Sequence, residues 1–272
     1  MNRETGGLVG VRKSSAKLGD DTTLSRFVKI TGTADPKIRH KRRQPKLPGM
    51  EADWIQDGRT KFPKSVKDPH AVASILKSGH NNVKIGRDVR KGKLKGYWIY
   101  TLSLEERATC PASCQHWQSC YGNNMPFAQR IDHTALGFLR KLDKEIENLC
   151  RTKKGVLIRL HALGDFYSTD YVLFWKEQLN RHTNLAVFGY TAHDMLSDIG
   201  YGVFRLGEIY HNRCFIRFSN GGKERNCTVT IGEPSSRPAN AFICPEQTGK
   251  ASCCATCAVC WSTRKNVAFL EH

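Results

Sequence analysis

Residues 155–193 read GVLIRLHALGDFYSTDYVLFWKEQLNRHTNLAVFGYTAH, and this stretch decides the fold. Gly155 opens an aliphatic run over 155–166 that reads as a strand. Residues 170–182, DYVLFWKEQLNRH, read as a helix with Asp170 or Thr169 as its N-cap. Residues 184–193 return to strand character. A strand, a helix and a strand in so short a span imply parallel pairing through a crossover.

The alternation extends both ways. Upstream, YWIYTLSL (97–104) reads as a strand, and residues 133–150 read as a helix with Leu136, Leu139, Leu142, Ile146 and Leu149 at helical spacing. Downstream, residues 194–212 read as a glycine-loosened helix, followed by short strands CFIRFS (214–219), CTVTIG (227–232) and NAFIC (240–244). About six mainly parallel strands give an α/β fold, an open doubly wound sheet or a partial (β/α) barrel, and the partial barrel is the expectation. No G-x-G-x-x-G or P-loop follows any strand, so no nucleotide-phosphate cradle is expected.

Two units are expected. Residues 84–272 form the cysteine-rich domain. Residues 1–83 form a basic, partly irregular N-terminal extension that includes KIRHKRRQPK (37–46). A second basic stretch, KIGRDVRKGKLKGYWIY (84–100), reads as a hairpin entering the first long strand.

In such sheets functional side chains collect at the C-terminal ends of strands. Those ends carry Cys110, then His161 and Asp165, then Thr191 and His193, then Arg217 and Ser219, Glu233, and finally Cys244. Eight of the 11 cysteines lie in two stretches, ATCPASCQHWQSCYG (108–122) and FICPEQTGKASCCATCAVCW (242–261), so both stretches are expected on one rim.

Composition says what those thiols are for. A chain of 272 residues buries an adequate core without disulfides. No stretch approaches the roughly 20 apolar residues of a membrane span, and the N-terminus lacks a secretory apolar core. The expected location is therefore the cytoplasm, with no membrane partner. There, clustered cysteines serve as metal ligands or redox groups.

Cys110, Cys114 and Cys120 can hold three irons of a [4Fe–4S] cluster and leave the fourth open, or hold zinc with His116 as a fourth ligand. The C-x2-C-x2-C run at Cys254, Cys257 and Cys260 is similar to the bacterial ferredoxin arrangement, and Cys244 would complete it. The adjacent Cys253 competes with Cys254 for that role. Zinc is the alternative at this site too, and the two stretches could also share one cluster. Cys150, Cys214 and Cys227 read as core.

Charge points to a partner. Lys and Arg number 43 against 25 Asp and Glu, a formal +18, which favours polyanions and suggests nucleic acid bound through its phosphates. Solvation of the surface is the plainer reading. An iron–sulfur site also implies an electron donor.

The segments TCPASCQHWQSCYG, IRLHALGDFYSTDYVLFW, NLAVFGYTAH, FIRFSN and CPEQTGKASCCATCAVCW together resemble a family of bacteriophage and prophage proteins related to the gene-product-88 proteins of mycobacteriophages. The resemblance spans roughly residues 84–272 and implies a phage origin, hence the cytoplasm of an infected host, and an iron–sulfur protein. It brings no known reaction.

More distantly the chain resembles radical S-adenosylmethionine enzymes, whose cluster motif is C-x3-C-x2-C where this chain has C-x3-C-x5-C. Their Gly-Gly-Glu-Pro segment is replaced by Leu163-Gly164-Asp165-Phe166. That resemblance implies an S-adenosylmethionine cofactor, with Gly164, Asp165, Thr191, Arg217 and Ser219 as binding candidates. His161, Asp165 and His193 would be catalytic candidates. Trp117 and Tyr121, beside the first cysteine stretch, are placed to stack on a base or adenine or equally to pack around a cluster. The alternatives are a non-enzymatic iron–sulfur redox or nucleic-acid-binding protein, and a zinc-stabilised nucleic-acid-binding protein.

Overall fold

The computed structural model describes residues 58–271 apart from 113, 118 and 220–225. Most of the basic extension, including residues 37–46, lies outside the described residues.

Two short strands, β1 (Val66–Lys67) and β4 (Arg130–Ile131), pair in parallel by themselves. The other eight form one sheet. Its order is β2 (Lys77–Ser78), β3 (Trp98–Ser103), β5 (Val156–Leu163), β6 (Leu185–Thr191), β7 (Cys214–Ser219), β8 (Cys227–Ile231), β10 (Asn266–Leu270) and β9 (Ala241–Ile243). Only β2 runs antiparallel to its neighbour in this sheet. The fold is mixed α/β with a mostly parallel sheet.

Among the described residues five α-helices accompany it: α1 (Glu106–Thr109), α2 (Phe138–Thr152), α3 (Thr169–Arg181), α4 (Asp198–Ile209) and α5 (Cys254–Cys257). The stretch that decides the fold behaves as the pattern predicts, β5–α3–β6. The cap differs. Ser168, not Asp170 or Thr169, caps α3, its hydroxyl accepting the Tyr171 N–H at 3.1 Å. Asp170 falls in the first turn, where its charge opposes the positive end of the helix dipole.

The helix expected over 133–150 starts only at Phe138, because Gly137 at φ 81° turns the chain there. Leu136 is left 66% exposed, while Phe138, Leu139, Leu142, Ile146 and Cys150 form the buried stripe. Cys214 and Cys227 are also buried, as expected of core thiols. A strand absent from the sequence reading, β10, inserts between β8 and β9 and leaves β9 at the sheet's edge.

Alternation along the strands separates two faces. Val156, Ile158, Leu160, Leu185, Val187 and Ile216 meet α2, α3 and α4 on one face. Leu157, Ala186 and Phe188 meet Ile85, Val89, Leu94, Ala255, Ala258 and Trp261 on the other. Full burial of Tyr171, Phe174 and Trp175 on the helix face supplies roughly 1.5–3 kcal/mol per large side chain. Strands β3, β5, β6, β7 and β8 neighbour one another in chain order, with all three long helices on a single face. Among the described residues no helix is long and apolar enough to cross a membrane.

Candidate metal centre

The second cysteine stretch begins at the C-terminal end of β9 with Cys244 and then folds across the sheet face opposite the helices. The single turn α5 exposes two of its N–H groups to the hairpin beneath it: Cys254 donates to Lys84 O at 2.7 Å and Ala255 to Ile85 O at 2.9 Å. Ala258, at φ 60°, ends the turn and brings Val259 and Cys260 back toward Cys244. The expectation that both stretches lie on one rim therefore holds for Cys244, while Cys254 and Cys260 pack against the face cluster and Cys257 lines the cavity beside them.

Cys244, Cys254, Cys257 and Cys260 line one cavity with Phe242, Val267 and Trp261. The cavity is small, with room for about one water, and it opens to solvent on one side. Cys253 does not line it. As N-cap of α5 it turns instead toward Thr256, with its sulfur 3.6 Å from that hydroxyl. Consecutive residues at a helix start diverge by about 100°, and that divergence separates the adjacent pair. Among the described residues no disulfide forms, and no three His, Cys, Asp or Glu side chains stand close enough to grip a single metal ion.

Burial pushes the Cys254 thiol up, reinforced by Cys260 and opposed by Arg159. Cys244 is raised by burial against the N–H groups of Gln247 and Glu246, and Cys257 by burial against the Val259 N–H. Lys91 also favours the Cys257 thiolate. Beside these sulfurs, Arg159 lies over the Tyr190 ring at 4.2 Å, and the Tyr190 hydroxyl is 3.1 Å from Cys260 Sγ. The buried Nη1 of Arg159 has no hydrogen-bond partner among the described residues. An unsatisfied cationic donor beside the Cys254 thiol fits a site built to carry negative charge, as metal-bound thiolates do.

The first stretch follows β3 through α1 at the C-terminal rim. Burial raises all three thiols, Cys114 to about 11. Cys114, Cys120 and Asp165 each add to the rise at Cys110, which places the three sulfurs and the carboxylate in one neighbourhood. Behind Cys120 lies a buried ion pair that sequence reading missed. Arg130 donates through Nε to Glu106 Oε2 at 2.7 Å and through Nη2 to Oε1 at 3.0 Å. The same guanidinium binds the carbonyls of Gly122, Met125 and Ala128, pinning the loop that follows Cys120. The sequence gives one weak signal for this, three consecutive charges at a strand end, Glu105 to Arg107. His116, a possible zinc ligand, has both ring nitrogens 3.2 Å from hydroxyls, those of Ser119 and Thr230.

Asp165 anchors the rim from β5. Its two oxygens accept the N–H groups of Phe166 and Ala192, each at 2.7 Å, and its own N–H donates to Thr109 Oγ1. Burial raises its pKa, opposed by His193 and by those N–H groups. Gly164, at φ 88°, lets this crossing happen, since a Cβ there would stand 2.6 Å from Thr109 Oγ1. Thr191 hydrogen-bonds the carboxylate, and His193 Nε2 reaches Phe166 O at 2.6 Å. So the structure gathers Cys110, Cys114, Cys120, Gly164, Asp165, Thr191 and His193.

It does not bring the remaining candidates to that group. His161 turns to α3, bonding Tyr171 Oη at 2.9 Å and packing against Phe166. The reason is a register shift: Leu102 pairs with Leu160 but Ser103 with Leu163, so His161 and Ala162 are two extra residues on β5. Strict alternation with Arg159 breaks there. Arg217 spends Nη1 and Nη2 on the carbonyls of Lys265 and Thr263, joining β7 to the approach of β10. Ser219 pairs with Thr228 of β8 at the end of β7.

Fold and side chains together define a mixed α/β protein with one three-cysteine group at a strand-end rim and one four-cysteine group lining a single cavity. The profile of the Gene product 88 family matches residues 74–269, and the chain belongs to that family of phage proteins. No curated protein and no solved structure matches it.

Proposed function

We propose that this chain is an iron–sulfur protein with two cluster sites, one closed and one open. Cys244, Cys254, Cys257 and Cys260 would hold a coordinatively complete cluster. Cys110, Cys114 and Cys120 would hold a second, with no cysteine for its fourth iron. The observation that carries the reading is the common cavity that the four thiols line, together with the C-x2-C-x2-C spacing of three of them.

The three-cysteine group supports a finer reading, a radical-S-adenosylmethionine-like enzyme of phage origin acting on nucleic acid. An open iron supplies reductive cleavage of S-adenosylmethionine when bound. This chain's residues would position that cofactor, with Asp165 facing its ammonium group. The consecutive strand order with helices on one face supports a partial (β/α) barrel, since a doubly wound sheet reverses its order and covers both faces with helices.

Anaerobic reconstitution followed by iron, sulfide and zinc analysis tests the proposal. About eight irons per chain are expected, falling by about four in Cys114→Ser and again in Cys257→Ser. Zinc without acid-labile sulfide would overturn both cluster sites. If the reduced, loaded protein forms no 5′-deoxyadenosine from S-adenosylmethionine, the enzymatic reading falls and the redox reading stands.

A further inference from the structure

The four-cysteine group carries a second feature that none of its chemistry uses. Residues 84–96 lie directly against α5 and hold six cations, Lys84, Arg87, Arg90, Lys91, Lys93 and Lys95, with Asp88 their only acid. All six cations are exposed. A charge run of this kind is ordinarily a mobile, solvated loop. Here it is fixed. Ile85, Val89 and Leu94, spaced between the cations, are buried in the face cluster with Ala255, Ala258 and Trp261.

The backbone fixes it further. Val89 N–H donates to Tyr97 O at 2.9 Å and Gly96 N–H to Val89 O at 2.8 Å, closing the hairpin. Besides the two bonds from α5, Arg90 N–H reaches back to Ala255 O at 3.0 Å. The basic surface also continues past the hairpin. Trp98 is flanked by Arg87, 5.3 Å from its ring, and by Lys153 of the α2–β5 turn, 4.6 Å away. Cations carried on a fixed main chain beside a half-buried indole suit a phosphate backbone, since the main chain has little ordering entropy left to lose on binding.

We propose that the 84–96 hairpin is the surface on which this protein docks a nucleic-acid backbone, and that the four-cysteine turn is the platform that holds it in shape. The inference rests on the nucleic-acid part of the proposed function and is independent of which metal the thiols take. It also gives the second cysteine group a role separate from the strand-end rim.

Binding of the full chain to a labelled mixed-sequence DNA oligonucleotide, measured across a salt series, tests it. The variant Lys84→Gln/Lys93→Gln/Lys95→Gln should lower the slope of log affinity against log salt by about 3, because each phosphate contact contributes close to one unit. Lys61→Gln/Lys64→Gln/Lys67→Gln, an equal loss of exposed charge elsewhere, should change the slope by less than one. Equal losses in the two variants would overturn the proposal, as would equally tight, equally hairpin-dependent binding to phosphatidylserine vesicles.

Gly86→Ala tests the platform. At φ 84° its Cβ would stand 2.8 Å from Ala255 Cβ and 2.9 Å from Cys253 Sγ, prising the hairpin from α5 with every cation retained. About tenfold weaker DNA binding is expected, and unchanged binding overturns the platform. If the wild-type chain binds no DNA at all, the nucleic-acid part of the proposed function falls with the hairpin. If it binds and the hairpin substitutions leave that binding intact, only the hairpin proposal falls.

Discussion

Arg159 lies 4.2 Å from the ring centre of Tyr190, and it is the one side-chain cation on β5 that faces the four-cysteine group. Its charge favours the Cys254 thiolate, while the Tyr190 hydroxyl sits 3.1 Å from Cys260 Sγ. Arg159→Met keeps much of the packing volume and removes the charge. It should weaken metal retention about tenfold in competition with a chelator, the usual scale for a residue supporting a metal's ligands. Tyr190→Phe, which loses only the contact to sulfur, should weaken it less. Equal retention in all three proteins would show that the guanidinium does not support the thiolates.

The Glu106–Arg130 pair makes a different prediction, about folding. Arg130→Met strands a buried carboxylate and frees three carbonyls of the loop after Cys120. A loss of about 3–5 kcal/mol is expected in urea denaturation, since breaking a buried pair leaves an uncompensated charge. Arg130→Lys should recover only part of that, because an ammonium cannot span the fork that reaches both Glu106 oxygens and the Gly122 carbonyl. A neutral result for Arg130→Met would mean the loop is held by something else.

Protons report on the thiols directly. Burial holds Cys114 up at about 11 and raises Cys110 and Cys120, so all three are protonated near pH 7 in the metal-free chain. Metal binding to them must therefore release about one proton per thiol engaged, and apparent affinity must rise with pH. Calorimetry in buffers of different ionisation enthalpy reads that release. Loading with no proton release at pH 7 would exclude these cysteines as ligands.

Local pattern and tertiary placement divide what could be read from the chain. The β5–α3–β6 unit is legible because its periodicity switches cleanly from strand to helix and back. The spacing of Cys254, Cys257 and Cys260 is legible for the same reason, being local. The position of β10 between β8 and β9 is not, because strand order is set by long-range pairing that leaves no trace in a five-residue apolar run. Nor does the chain announce that Cys254 faces the cavity while Cys253 caps α5; that depends on where one helical turn begins. Glu106 and Arg130 look like surface charges until each is seen to satisfy the other in the interior. Alternation misplaces His161, because it assumes an unbroken register and β5 carries two extra residues there.

His161 carries the last prediction. It is buried against Tyr171 and Phe166, and burial, with Arg159 nearby, lowers its pKa to about 3. A base whose folded pKa is depressed is neutral in the native chain, while the unfolded chain takes up a proton below about 6.5. Its contribution to stability is therefore fully present above pH 6.5 and is lost as pH falls from there toward 3. Between pH 7 and pH 5 the loss should be about 2 kcal/mol for this one group. His161→Gln removes the titration, so its urea midpoint, though lower at pH 7, should fall less over that interval than the wild type's. Parallel declines in the two proteins would place the acid sensitivity elsewhere.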